Sequence, residues 1–284
     1  MQKVLVAGAT GYLGSHVVRE LKKRGYYVRA LARNPKKLTS IQDSIDEVFT
    51  GEVTKPESLE GACKNIDVLF SSIGITRQQD GLSYMDVDYQ GNKNLLECAQ
   101  ANGVSKFIYT SVFNAEKMKQ LNPIHAKIKF SDELRASGMN YAIVNPNGFF
   151  SDIEQYFEMA KFGVAFLIGD GTAKINPIHG EDLAKVCVDA IQKDEKQIDV
   201  GGPEIFTHRE ILELAFKALH KHPLIIQVPQ WTVDLTAGTL KLFATENIYS
   251  PIEFAILALT LDMVAPAYGE KKLGDFFAEL AQKA

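Results

Sequence analysis

Three glycines, Gly8, Gly11 and Gly14, follow one another directly after the apolar run Lys3–Ala7 and lead into a stretch with helical spacing. Gly8 would let the chain turn sharply at a strand end. Gly11 would leave room where backbone amides approach a phosphate, and Gly14 would let the next helix pack close to the sheet. The first amides of that helix, and the positive end of its dipole, would then face a pyrophosphate. The expected chemistry is dinucleotide binding, with Gly8, Thr10, Gly11, Tyr12, Leu13 and Gly14 as contacts. The plainer alternative is a glycine-rich strand–helix turn with no ligand. The strand before the motif and the helix after it favour the dinucleotide.

The next strand, expected over Tyr27–Ala32, bears on which dinucleotide binds. A site selective for NAD usually carries an acid there, about 20 residues beyond the glycines, for the ribose 2′-hydroxyl. Here no Asp or Glu occurs between Glu20 and Asp43, and the chain offers Arg29, Arg33, Asn34, Lys36 and Lys37. Guanidinium groups suit a 2′-phosphate, and Arg33, just past the strand, is the stronger candidate. NADP is expected, with NAD the weaker choice. The alternative for these residues is a solvated basic loop.

The elements that must hold these residues alternate. Strands are expected at Lys3–Ala7, Tyr27–Ala32, Glu47–Thr50, Asp67–Ile73, Lys106–Thr110 and Tyr141–Val144. Helices are expected near Tyr12–Arg24, Pro56–Cys63, Asp88–Asn102 and Lys127–Ser137. Such alternation gives parallel strands joined by right-handed crossovers, so the fold class is α/β, a Rossmann-type doubly wound parallel sheet. The rhythm weakens near residue 145. Residues 1–147 are expected to form the dinucleotide-binding core, and 148–284 a smaller, mainly helical substrate lobe interleaved with it. In that lobe, helices are expected near Glu181–Lys193 and His208–Leu219, with Thr207 and Glu210 as a capping box and a late strand at Leu224–Val228. The last 50 residues read as largely helical.

Later segments extend the pattern: Gly51-Glu52-Val53, Val87-Asp88-Tyr89-Gln90-Gly91, Phe107-Ile108-Tyr109-Thr110-Ser111, Leu134-Arg135-Ala136-Ser137-Gly138, Pro177 to Ala184 and Gly201-Gly202-Pro203. With the Gly-x-x-Gly-x-x-Gly turn, they resemble the atypical short-chain dehydrogenase/reductase superfamily, in its NmrA-like branch. Lys127-Ile128-Lys129-Phe130 and the pair Phe149-Phe150 are similar to segments of the divinyl chlorophyllide 8-vinyl reductases. The resemblance implies a Rossmann core and an NADP cofactor, and adds Glu52 to the cofactor contacts.

It also implies a Ser, Tyr and Lys at the reaction centre, with the Lys lowering the Tyr pKa and bonding the nicotinamide ribose. Ser111 matches the Ser and Lys127 matches the Lys, so both are catalytic candidates and Lys127 a cofactor contact. The Tyr position falls on Pro123. A two-residue slip would put His125 and Lys129 in those places instead. Two main functions follow, with a third beside them. In one, the chain is an NADP-dependent reductase of a small, conjugated or carbonyl-containing substrate, with the proton from Lys127, a water or the second lobe. In the other, it is a non-catalytic, NADP-binding redox sensor acting through a protein partner; a scaffold role is a third.

His179 reads as a site residue or a buried structural histidine. Glu181 and Asp182 read as charges in a helix's first turn, and Phe149, Phe150, Phe157 and Phe162 as pocket walls or core. The net charge of −4 and the lack of a basic block argue against nucleic acid. Cys63, Cys98 and Cys187 are far apart in sequence, which argues against a disulfide framework, and no His, Cys or acidic cluster has metal-ligand spacing. No apolar run is long enough to span a membrane, and the start of the chain lacks a secretory pattern. A cytoplasmic protein is expected; a transit peptide removed upstream would also be compatible.

Overall fold

A computed structural model describes residues 1–75, 81–233, 253 and 256–283. The chain divides into two compact units, one formed by Met1–Asn145 and Leu183–Ile198, the other by Pro146–Asp182 and Asp199–Ala284.

The first unit carries the strand–helix alternation: β1 (Lys3–Ala7), α1 (Tyr12–Lys23), β2 (Tyr27–Ala32), β3 (Glu47–Thr50), β4 (Val68–Ser71), α2 (Asn92–Ala101), β5 (Lys106–Thr110), α3 (Asn122–Ala136) and β6 (Tyr141–Pro146). The chain re-enters this unit within α5 (Gly180–Asp189) and adds β9 (Gln197–Val200) at the sheet edge. The sheet order is β3-β2-β1-β4-β5-β6-β9. The five pairings from β3 through β6 are parallel. The order reverses between β1 and β4, the switch point where open α/β sheets bind ligands beyond their strand ends.

Apolar spacing explains these elements. Leu13, Val17, Val18 and Leu21 make one buried stripe on α1. β4 and β5 are buried throughout, as strands covered on both faces must be. Leu5, Leu69, Phe107, Tyr109, Phe130 and Ile143 meet in one core.

Several expected elements are corrected. The helix expected over Pro56–Cys63 is a single 3₁₀ turn, Pro56–Leu59, because Gly61 takes a left-handed φ of +81°. The helix expected from Asp88 divides into a π-helical turn, Met85–Gly91, and α2. α3 begins at Asn122, five residues earlier than expected, with Pro123 in its first turn, where a missing N–H costs nothing.

The second unit contains α4 (Phe150–Phe162), β7 (Ala165–Ile168), β8 (Lys174–Ile175), β10 (Phe206–Thr207), α6 (His208–Ala218), β11 (Ile225–Val228) and the helix Leu273–Lys283. β7 and β11 pair in parallel, and β8 with β10 antiparallel. Thr207 and Glu210 form the expected capping box on α6, each side chain accepting from the other's backbone N–H at 3.2 and 2.7 Å. Residues 261–272 are not helical, so the last 50 residues are less helical than expected where they are described. The remainder of that expectation, residues 235–252, 254–255 and 284, lies outside the described residues.

Candidate functional site

The glycine turn joins β1 to α1 in the first unit. Gly8 has φ +90°, and a Cβ there would lie 2.6 Å from the Ser72 Oγ beyond β4. Gly14 is tighter, since its Cβ would stand 2.0 Å from the Gly8 carbonyl oxygen. The helix therefore rests on the turn itself. Gly11 differs from both: it is exposed, and its Cβ would meet only the Gly8 oxygen, at 3.3 Å. Bulk at Gly11 would project outward, into the space before the helix. Gly11 is also the N-cap of α1, with no side-chain cap and no acid in the first turn, while the last turn carries Lys22 and Lys23. The first turn of α1 thus adds no negative charge of its own to its free amides, which suits an anion. Thr10 is exposed, Tyr12 half-buried and Leu13 buried.

Past β2 the two arginines separate. Arg29 is buried, donates to the carbonyls of Ala62 at 2.7 Å and Lys64 at 2.9 Å, and pairs with Glu47 at 2.8 Å. It ties β2 to the loop before β4 and is committed there. Arg33 is exposed, and its guanidinium stands 3.6 Å from the Glu52 carboxylate, which also holds Lys55 at 3.3 Å. Asn34 caps the following 3₁₀ segment through Lys36 N–H, at 3.1 Å. The structure thus brings Arg33 and Glu52, both expected cofactor contacts, into one cluster.

A third cluster centres on Lys127, on α3. Its ammonium lies 3.0 Å from Oδ1 of Asp88, whose side chain is fully buried in the π-helical turn. The other Asp88 oxygen accepts the Ile75 N–H at 2.9 Å. A Cβ on Gly74 would meet the Lys127 Nζ at 2.7 Å and Asp88 Oδ1 at 2.8 Å, yet Gly74 itself is exposed. Glycine at this position therefore lets the backbone just after β4 lie directly against the ion pair, where any side chain would displace it. Burial alone would lower the Lys127 pKa; the Asp88 charge and hydrogen bond outweigh it and hold the ammonium above the ordinary lysine range. Tyr109, on β5, is buried against the same group. Burial raises its hydroxyl pKa to about 12, although the Lys127 charge pulls the other way. No sequence signal marks Asp88 or Tyr109 as a site residue. Asp88 belongs to a segment that carries the resemblance, but nothing in the sequence shows its distant partner.

A family model described as NAD(P)H-binding matches residues 8–194, which contain all three clusters. The chain belongs to this NAD(P)H-binding family. It is 30% identical to the chloroplastic divinyl chlorophyllide a 8-vinyl-reductase of Arabidopsis thaliana, over 99% of this chain and 77% of that protein. It is 27% identical to a photosystem II assembly factor of Synechocystis, over 94% of this chain and 84% of that one. In fold it is similar to the NADPH-dependent quinone oxidoreductase of Escherichia coli in complex with NADPH. There the TM-score is 0.74 and the identity 18%, covering 99% of each chain. It is likewise similar to the triphenylmethane reductase of a Citrobacter species in complex with NADP(H). That TM-score is 0.76 and the identity 16%, covering 98% of this chain and 99% of the other. The resemblance to atypical short-chain dehydrogenases/reductases thus holds, and the architecture is that of NAD(P)-binding reductases.

Within this NAD(P)H-binding frame, Pro123 occupies the first turn of α3 and has no ionisable group. Lys127, not Lys129, forms the ion pair; Lys129 extends over the Tyr89 ring, 4.2 Å from its centre. His125 is exposed on the same helix. Ser111, buried just beyond β5, donates its N–H to the Val144 carbonyl at 2.9 Å.

In the second unit, His179 is half-buried between the edges of Phe150 and Phe276, with centroids 5.4 and 6.3 Å away. Burial lowers its pKa, and its Nδ1 accepts the Glu181 N–H at 3.2 Å, which only the neutral ring can do. Asp182 does more than charge a first turn. Fully buried, it accepts the N–H groups of Glu270 and Lys271, both at 2.9 Å. Phe150 and Phe157 are core residues; Phe162 is exposed. Among the described residues, no group of three or more His, Cys, Asp or Glu could hold a metal ion, and no helix is long and apolar enough to cross a membrane. All three cysteines are free thiols, and the Cys98 thiol donates to the Leu59 carbonyl at 3.6 Å.

Proposed function

We propose that this chain is an NADP-dependent reductase of a small, conjugated or carbonyl-containing molecule, with Lys127 as the residue that orients the nicotinamide ribose. The observation that carries the reading is the Asp88–Lys127 pair, 3.0 Å long, with the lysine side chain 20% exposed and the bare backbone of Gly74 against it. An ammonium kept charged in that position suits a pair of ribose hydroxyls. The exposed edge of Gly11 and the first α1 amides suit a pyrophosphate, and Arg33 suits a 2′-phosphate, for which it would exchange its contact with Glu52. The bound nucleotide would supply a hydride.

The same ion pair makes Lys127 a poor acid, because Asp88 holds its pKa above that of an ordinary lysine. Tyr109 is fully buried and Pro123 has no proton to give. We therefore assign the proton that completes the reduction to water. Water suffices where hydride goes to the activated carbon of a conjugated system, since the resulting anion is spread over the conjugation. Ser111, next to the strand that carries Tyr109, would position rather than donate. The second unit would serve as the substrate lobe. Reductases and NADPH complexes among the similar proteins support this reading, and the free cysteines support a reducing compartment.

One observation favours the non-catalytic alternative, a redox-sensing NADP-binding regulator with a protein partner. Proline replaces the superfamily's proton-donating Tyr at Pro123. The deciding experiment is a screen for NADPH oxidation driven by quinones, enones and other conjugated acceptors. Turnover that disappears in a folded Lys127 variant supports the enzyme. Tight NADPH binding without turnover on any acceptor, together with NADPH-dependent association with another protein, replaces it with the regulator.

A further inference from the structure

We propose that the exposed face of the β7–β11 pair in the second unit docks on an anionic lipid surface. In the parallel register Phe166 stands opposite Ile226. Residues two apart share a face of a strand, so Leu224, Ile226 and Phe166 lie together, while Ala165 and Leu167 point the other way and are buried. Phe166 is 58% exposed, Leu224 55% and Ile226 44%. Phe162, at the end of α4, is 85% exposed, and Trp231, just beyond β11, is 68% exposed. A monomeric protein rarely leaves such large apolar groups grouped in water without a use for them.

The border of this face indicates what covers it. Lys221 donates to the carbonyls of Ala160 and Lys161, which brings the segment Lys217–His222 beside Phe162. That segment presents Lys217, His220, Lys221 and His222, all exposed, and contains no carboxylate; the exposed Glu213 lies one turn before Lys217, and Glu158, one turn before Phe162, is paired with Lys161. Protruding aromatic rings with a basic border are the composition of surfaces that sit at the headgroup level of acidic membranes. Lysine is depleted from protein–protein interfaces, which argues against a protein partner here. The inference is independent of the reductase reading, because it uses none of the residues of the first unit.

The test is flotation of the full chain with vesicles of phosphatidylcholine alone or mixed with phosphatidylglycerol. The chain should float with the mixed vesicles, weakly or not at all with phosphatidylcholine alone, and lose binding as salt shortens the electrostatic range to about 3 Å near 1 M. Phe162→Ser/Phe166→Ser should reduce flotation at least tenfold while leaving NADPH affinity unchanged. Lys217→Glu/His222→Glu, at exposed positions away from the core, should do the same and serves if the aromatic variant does not fold. No flotation with mixed vesicles, or equal flotation by the charge-reversed variant, overturns the proposal. So does a dimer in sedimentation that the aromatic variant dissociates, since a second copy would then cover the face.

Discussion

Substituting Lys127 by Met keeps the length and apolar stem of the side chain and removes its charge. On an exposed helix lysine this would cost almost nothing. Here it leaves Asp88, with a fully buried side chain, holding one backbone N–H through Oδ2 and no partner for Oδ1. Breaking a buried pair by removing one member costs about 3–5 kcal/mol. The Lys127 side chain keeps 20% exposure, so water can partly replace it, and a cost of about 3 kcal/mol is expected. In a chain of this size that corresponds to a fall in Tm of roughly 6–12 °C. The lysine's pKa is raised in the fold, so its contribution is complete below the unfolded value near 10.4 and fades only at higher pH. The loss should therefore be the same at pH 7 and pH 9. Adding Asp88→Asn should recover most of the stability, because the stranded charge disappears with it. Urea unfolding and thermal melts of the two single variants and the double variant test this. A Tm for Lys127→Met within about 1 °C of the parent would show that the pair contributes nothing. The double variant is also the proper one for kinetics, since it separates lost turnover from lost fold.

Gly11→Val should abolish NADPH binding, measured by calorimetry, with little change in Tm, because its Cβ meets only the Gly8 oxygen at 3.3 Å. Gly14→Ala should destabilise the protein by about 1–3 kcal/mol in urea unfolding, because its Cβ would stand 2.0 Å from that same backbone oxygen. Arg33→Ala should weaken NADPH at least about tenfold and NADH little, whereas Glu52→Gln should strengthen NADPH roughly 1.5- to 5-fold by releasing Arg33 from an exposed ion pair; equal effects on both nucleotides would refute the 2′-phosphate assignment. Burial raises the Tyr109 pKa to about 12, so the fold favours its neutral form, and that advantage is complete below pH 10 and lost as pH rises towards 12. Stability in that window should fall by about 1.4 kcal/mol per pH unit more steeply in the parent than in Tyr109→Phe, and equal slopes would refute the burial argument.

The parts of the site that were legible in the sequence depend on local chemistry. The turn from Gly8 to Gly14 is contiguous, and each glycine's role follows from its place between a strand and a helix. What was missed depends on contacts between distant segments. Arg29 looked like a phosphate ligand because it sits on the right strand, yet the carbonyls of Ala62 and Lys64 claim it. Asp88 looked like an ordinary helix residue, because nothing in its neighbourhood announces Lys127. Gly74 carried no motif, and its importance appears only when a Cβ is placed on it. Pro123 reads as a missing tyrosine, whereas its local meaning is the start of α3. In each case the residue type was visible and the partner was not.

The path of the chain has a consequence for biosynthesis. Lys106 is buried in the first unit and donates to the carbonyls of Ile191 and Lys193, the latter 87 residues further along. At a ribosomal rate of about 5–20 residues per second, those acceptors emerge roughly 4–17 s after the lysine. Until then a nascent chain has an ammonium with no carbonyls to receive it and β6 without β9 beside it. A fragment cut after Asn145 would hold the entire glycine turn and the Asp88–Lys127 pair and still be permanently in that state. Such a fragment should expose a strand edge and aggregate, so the nucleotide-binding unit becomes an independent body only after translation has passed through Pro146–Asp182, the first segment of the other unit.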